Sequence, residues 1–232
     1  MMENRTSAPL NVQQQITSVV NTMVSVITNP VAFFKALPKT GGFVDPTIFL
    51  VAMGLVGGVV QIVLSFFGMG LAASFFMALT FLIIIPLASV LFGFVGAAIL
   101  YVIWKVMGSR EDFPTAFRCV AYASAISPIT TFLNLVPYMG SLLAIGWMTY
   151  LLVICSIEVH DLMAKPCWIV FGTLAAILAL ATVSSQYTAR KFAREMDDIS
   201  RRMGKIEEMT PEEAGRKVGE FMKGLQQGAG KQ

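Results

Sequence analysis

From position 46 to position 187 the chain alternates long apolar runs with short polar breaks. The runs are Pro46–Gly68, Leu71–Met107, Pro114–Val136, Gly140–Val159 and Pro166–Tyr187. Lys105 and Arg118 are the only basic residues inside them and Glu158 the only acidic one, each near an end. A helix rises about 1.5 Å per residue, so about 20 apolar residues cross a hydrocarbon layer of about 30 Å. Four of the runs have that length. The second is too long for one perpendicular helix and carries Pro86 near its middle. Proline removes one backbone hydrogen bond and kinks a helix, so the pattern predicts one long, tilted, kinked helix, with a re-entrant hairpin as the alternative. The fold class that follows is all-α: a polytopic transmembrane bundle of five spans, with an interfacial N-terminal helix and a charged helical C-terminal tail.

The flanking patterns differ. Val12, Ile16, Val19, Val20, Met23 and Ile27 form the stripe of an amphipathic helix, and Gln14, Gln15, Ser18, Asn21 and Ser25 oppose it. The polar face has no Lys or Arg, so electrostatic anchoring to anionic lipid does not explain it; packing on the domain or on a partner does. Asn29-Pro30 reads as an N-cap followed by proline at the first helical position. It opens a short segment to Leu37, closed by Pro38 and Gly41-Gly42. Asp45-Pro46 repeats the device at the mouth of the first span. After Tyr187 the chain holds ten of its 17 basic and eight of its 14 acidic residues. Phe192, Met196, Ile199, Met203 and Ile206 step by four and three, a coiled-coil rhythm of about two heptads. Thr210-Pro211-Glu212-Glu213 has capping-box spacing, and the Gly-rich end from Gly228 reads as disordered. Residues 1–45, 46–187 and 188–232 are therefore expected as an interfacial segment, a five-span domain and a tail.

Composition narrows the function classes. With 56% hydrophobic and 13% charged residues and a mean hydropathy of +0.70, the chain departs from soluble domains, of which about 25% is charged. No cleavable leader is read at the start, so the first span is expected to act as its own insertion signal. Cys119, Cys155 and Cys167 match no CxxC site and are expected as unpaired, buried small hydrophobes. His160, the single histidine, lies between Glu158 and Asp161 and reads as a polar helix end among lipid headgroups. No HExxH, GxSxG or GxxxxGK[ST] occurs, so no catalytic residue, metal, cofactor or nucleic acid is expected. Gly54 and Gly58 make a GxxxG spacing suited to packing within the chain. The third span is the most polar, and Pro86, Tyr122, Ser127, Pro128 and Asn134 are the candidate hinge or groove residues for a small-molecule or lipid carrier.

Several stretches together resemble the Yip family, polytopic membrane proteins named for interaction with Ypt/Rab GTPases and found also in bacteria. They are Asn29-Pro-Val-Ala-Phe-Phe-Lys-Ala-Leu37 with Gly41-Gly42-Phe43, Phe117-Arg-Cys-Val-Ala-Tyr-Ala-Ser-Ala-Ile-Ser-Pro128, and Gly146-Trp-Met-Thr-Tyr150 running on to His160-Asp161. The resemblance covers roughly residues 28–185. It implies five spans and, for a bacterial-type member, an inner (plasma) membrane location. In eukaryotic members it implies GTPase recruitment. The chain departs from the family at its long charged tail. The expected function is a membrane scaffold or adaptor without catalytic activity, with Phe33, Phe34, Lys35, Arg110 and Phe117 as partner-binding residues. Its partners would be the bilayer, a protein docked on the N-terminal element, and a second copy held through the tail. Short-loop charges place the N-terminus in the cytoplasm by the positive-inside rule, and five spans then export the tail.

Overall fold

The structure, a computed structural model, describes residues 12–67 and 75–207 together with positions 213, 215, 216 and 219. The capping box up to Glu212, the Gly-rich end and the beginning of the second apolar run lie outside the described residues, as do the side chains of Met203 and Ile206. Among the described residues the fold is all-α: α1 (Val12–Thr28), α2 (Pro30–Lys35), α3 (Val44–Phe66), α4 (Phe75–Val106), α5 (Phe113–Ala123), α6 (Ser127–Leu133), α7 (Met139–Glu158) and α8 (Ala164–Glu207), with a single 3-10 turn at Ser124–Ile126. Among the described residues, five segments are long and apolar enough to cross a membrane: α3, α4 from Leu79, α5 to α6 taken together, α7 and α8. The chain divides into two compact units, Met1–Ala181 and Thr182–Gln232, with the division inside α8.

The second run is one helix through Pro86. Its 32 residues make a rod of about 48 Å, longer than the hydrocarbon layer. Gly54 explains how Pro86 is accommodated: a methyl group on Gly54 would lie 2.6 Å from Pro86 Cα and 2.9 Å from Ser89 Oγ, while one on Gly58 would meet Leu82 Cα at 3.4 Å. The small face of α3 thus receives the backbone of α4, and the GxxxG spacing serves packing within the chain. Outward side chains such as Ile83, Leu87, Leu91 and Phe92 stay exposed, as lipid requires.

The third span breaks where Pro128 stands. Proline 128 has no N–H for the carbonyl of Ser124, and that oxygen instead accepts from Ser127 N–H as the backbone tightens into the 3-10 turn. Helix α6 then starts afresh with Pro128 in its first turn. The Ser124 hydroxyl donates to Ala121 O, and those of Thr130 and Thr131 to Ser127 O. Much of the polarity of this span is therefore satisfied by its own backbone.

Helix α1 packs on the domain. Val26 is fully buried, and Val19, Met23 and Ile27 lie against the same core as Phe34, Phe49, Trp104 and Leu151. Ile16, Val20 and Val24 remain exposed, so only part of the expected apolar stripe is used inside. Asn29 caps α2 as its sequence implies, accepting from Ala32 N–H at 3.3 Å. Asp45 does not cap α3. That helix begins at Val44 after Phe43, and Asp45 sits in its first turn, where a carboxylate favours the positive end of the helix dipole.

In the second unit Arg201 pairs with Asp197 at 2.9 Å and Lys191 approaches Glu195 at 4.0 Å. Phe192, Met196 and Ile199 of the expected heptad seam are exposed.

Candidate functional site

Four chain segments converge at the end of the bundle where α4 and α7 finish and α5 and α8 begin. Arg118 organises the first half of the site. It sits one turn into α5, whose N-cap Asp112 accepts from Thr115 N–H at 2.9 Å. Only 4% of Arg118 is exposed, and all five of its N–H donors are used. Nε donates to Pro114 O at 3.3 Å. One terminal nitrogen donates to Pro38 O and, at 2.9 Å, to Thr40 O. The other donates to Lys39 O at 3.0 Å and Thr115 Oγ1 at 3.1 Å. A guanidinium buried without these partners would be severely penalised; here it fastens the α2–α3 loop to α5. Gly41 makes the approach possible: its φ of +145° is a conformation side chains rarely adopt, and a methyl group there would lie 3.3 Å from Arg118 Nη1.

Lys39, in the same loop, bridges two others. Its Nζ lies 2.6 Å from Asp161 Oδ2 and 3.0 Å from Glu111 Oε1. The carboxylates, Asp161 first, raise its pKa above the usual lysine value. The hydrogen bond from Thr115 to the Asp112 carboxylate lowers the pKa of that group.

The second half of the site differs from the sequence expectation. Cys119 and Cys155 are disulfide-bonded, with Cα atoms 6.3 Å apart, so two of the three cysteines are paired rather than free. Cys167 is buried and unbonded to either. His160 is not an exposed polar helix end but is buried within the protein, 3% exposed. Its Nδ1 shares a 2.7 Å hydrogen bond with Ser109 Oγ, and its Nε2 faces Cys119 Sγ at 3.9 Å. The ring stacks on Trp104, centroids 4.0 Å apart. Trp104 is itself pinned, because Nε1 donates to Ser156 Oγ at 2.7 Å and that hydroxyl donates to Leu152 O at 2.6 Å. Burial, with Lys39 nearby, lowers the His160 pKa to about 4, so the imidazole is neutral at physiological pH. One donor atom from each of Cys119, Cys155 and His160 lies within 4.8 Å of the others.

The residues singled out from sequence are scattered around this centre. Phe34 and Phe117 are buried, Phe33 is partly so, and Lys35 and Arg110 are exposed. Phe34 and Phe117 are therefore parts of the core and not contact surface. Of the hinge or groove set, Tyr122 packs edge-on against Phe33 and Phe49 and lines a small cleft with Gln15, Thr22 and Asp45. Pro86 is at the α3–α4 crossing, Ser127 and Pro128 open α6, and Asn134 is exposed beyond it. They do not form one groove. The Cys119–Cys155–His160 centre was missed because the cysteines lie 36 residues apart. The faint signal was the sole histidine five residues after a cysteine at a helix end.

Five apolar spans with an all-α fold define an integral, multi-pass membrane protein. The family model of the Yip1 domain matches residues 24–185, and the chain belongs to that family. The match takes in α2 to α7 and both halves of the site. No curated protein and no solved structure matches the chain.

Proposed function

We propose that the protein is a non-enzymatic membrane scaffold that recruits a protein partner on the face built by α1, α2 and the loop before α5. The observation that carries this reading is Arg118. A buried cation that spends every donor on its own chain binds no substrate, and its effect is to hold the α2–α3 loop rigidly against α5. Exposed cations flank the fastened loop: Lys35 lies one turn before Lys39, and Arg110 immediately before Glu111. The polar side of α1 adds a shallow groove with Gln13, Thr17, Ser18, Asn21 and Phe33 on its walls. A preorganised surface of this kind loses little conformational freedom on docking. The self-satisfied hydroxyls of the third span weigh against a carrier, which needs a polar route to mid-membrane.

A photo-crosslinking side chain placed in turn at Lys35, Arg110 and, as a lipid-facing control, Leu87 tests the reading in native membranes. A discrete protein adduct at the first two positions and not at the third is expected. Lipid adducts alone, or the same adducts at Leu87, would overturn it.

A further inference from the structure

We propose that Cys119, Cys155 and His160 form a metal site of the zinc class that opens when the disulfide is reduced. The inference is independent of the docking surface. A disulfide placed only for stability needs no imidazole against it, yet the chain's single histidine is buried here with Nε2 turned toward sulfur at 3.9 Å. Its other nitrogen is held by Ser109 Oγ at 2.7 Å, and Ser109 Oγ is fixed in turn by Glu111 N–H at 3.3 Å. A metal on Nε2 requires the tautomer in which Nδ1–H donates to Ser109 Oγ and the lone pair sits on Nε2. This is how histidine ligands are oriented by outer partners in metal sites. Trp104 lies against the ring and restrains its tilt.

The donor set selects the ion. Two thiolates and a neutral imidazole carry two negative charges, and a divalent ion makes the centre neutral, as a buried site requires. Thiolate and imidazole together suit zinc and exclude magnesium and calcium, which prefer oxygen. Three protein ligands leave one tetrahedral position for water or a small anion. Sulfurs bound to one zinc at about 2.3 Å stand about 3.8 Å apart, so metal and disulfide exclude each other. The change of state balances: a cellular dithiol is oxidised to its disulfide while the Cys119–Cys155 bond takes up two electrons and two protons. Zinc then displaces those two protons from the thiols. The location suits this exchange. Lys35, Lys39, Lys105, Arg110 and Lys165 each fall at or beside the end of a helix that borders the site, and the positive-inside rule assigns such an end to the cytoplasm, where thiols are kept reduced.

The test uses the full chain in detergent, reduced with a phosphine under argon and freed of reductant. Zinc is titrated against a chromophoric chelator, and cobalt serves as a spectroscopic substitute. One ion per reduced chain is expected, with a sulfur-to-cobalt charge-transfer band, and none per oxidised chain. Cys119→Ser, Cys155→Ser and His160→Gln should each abolish stoichiometric binding, and Cys167→Ser should leave it intact. Ser109→Ala, the positioning residue, should weaken binding about 10- to 100-fold. His160→Gln and Ser109→Ala keep both sulfurs, so they carry the test where a cysteine variant fails to fold. The proposal is overturned by absence of stoichiometric zinc on reduced, folded protein, by binding that ignores His160→Gln, or by alkylation showing that the phosphine leaves Cys119 and Cys155 bonded.

Discussion

At the scale of single residues, the polar side chains near the membrane surface act through the backbone more than through one another. Asp112 illustrates this and gives a pH-dependent outcome. Its carboxylate caps α5 and its pKa is lowered by that bond, so its stabilisation is complete above the usual carboxylate pKa of about 3.9 and fades as pH falls through the lower folded value. Asp112→Ala should cost about 1 kcal/mol at neutral pH. The gap between variant and wild type in thermal unfolding in detergent should narrow below about pH 4. A gap that is constant down to acid pH would mean that the charge of the cap is irrelevant. Arg118 and His160 mark the limit of sequence reading at this scale. Arg118 was visible as a charge near a span end, but nothing in its neighbours shows that its donors close on carbonyls about 80 positions earlier in the chain. His160 looked like a surface group because Glu158 and Asp161 flank it. Burial came instead from Trp104 and α5, which only the fold brings to it.

At the scale of elements, length and punctuation were legible and the breaks were less so. The five spans, the Asn29 cap and the continuous α4 follow from run length and proline placement. The start of α3 departs from the Asx-Pro cap pattern, because a carboxylate in the first turn gains from the dipole without capping. The α3–α4 crossing is the most sharply testable contact between helices. Gly54→Ala sets a methyl group 2.6 Å from a proline backbone atom that cannot rotate away. Overpacking of this kind costs about 1–3 kcal/mol. Unfolding by a denaturing detergent should show that loss for Gly54→Ala, whereas Gly146→Ala, with open space around it, should change little. Equal effects at the two positions would remove the special role assigned to the crossing.

At the scale of the whole molecule, five crossings would require the two termini to lie on opposite sides. The basic loops argue for a cytoplasmic N-terminus, yet Arg190, Lys191 and Arg194 follow the last span and oppose export. A reporter fused after residue 232 should register the non-cytoplasmic side, and the same reporter in the loop at Arg110 should register the cytoplasm. A cytoplasmic signal from both would require an even number of crossings. The packing of Trp104 has a consequence for how the buried centre can be observed in such a protein. Its indole lies flat on His160, within a few side chains of the sulfurs, and disulfides quench indole emission at short range. Any change in the bonding of those sulfurs should therefore change the Trp104 share of the protein's ultraviolet fluorescence, and purified protein with Trp147 and Trp168 replaced by Phe would report the centre without an added label.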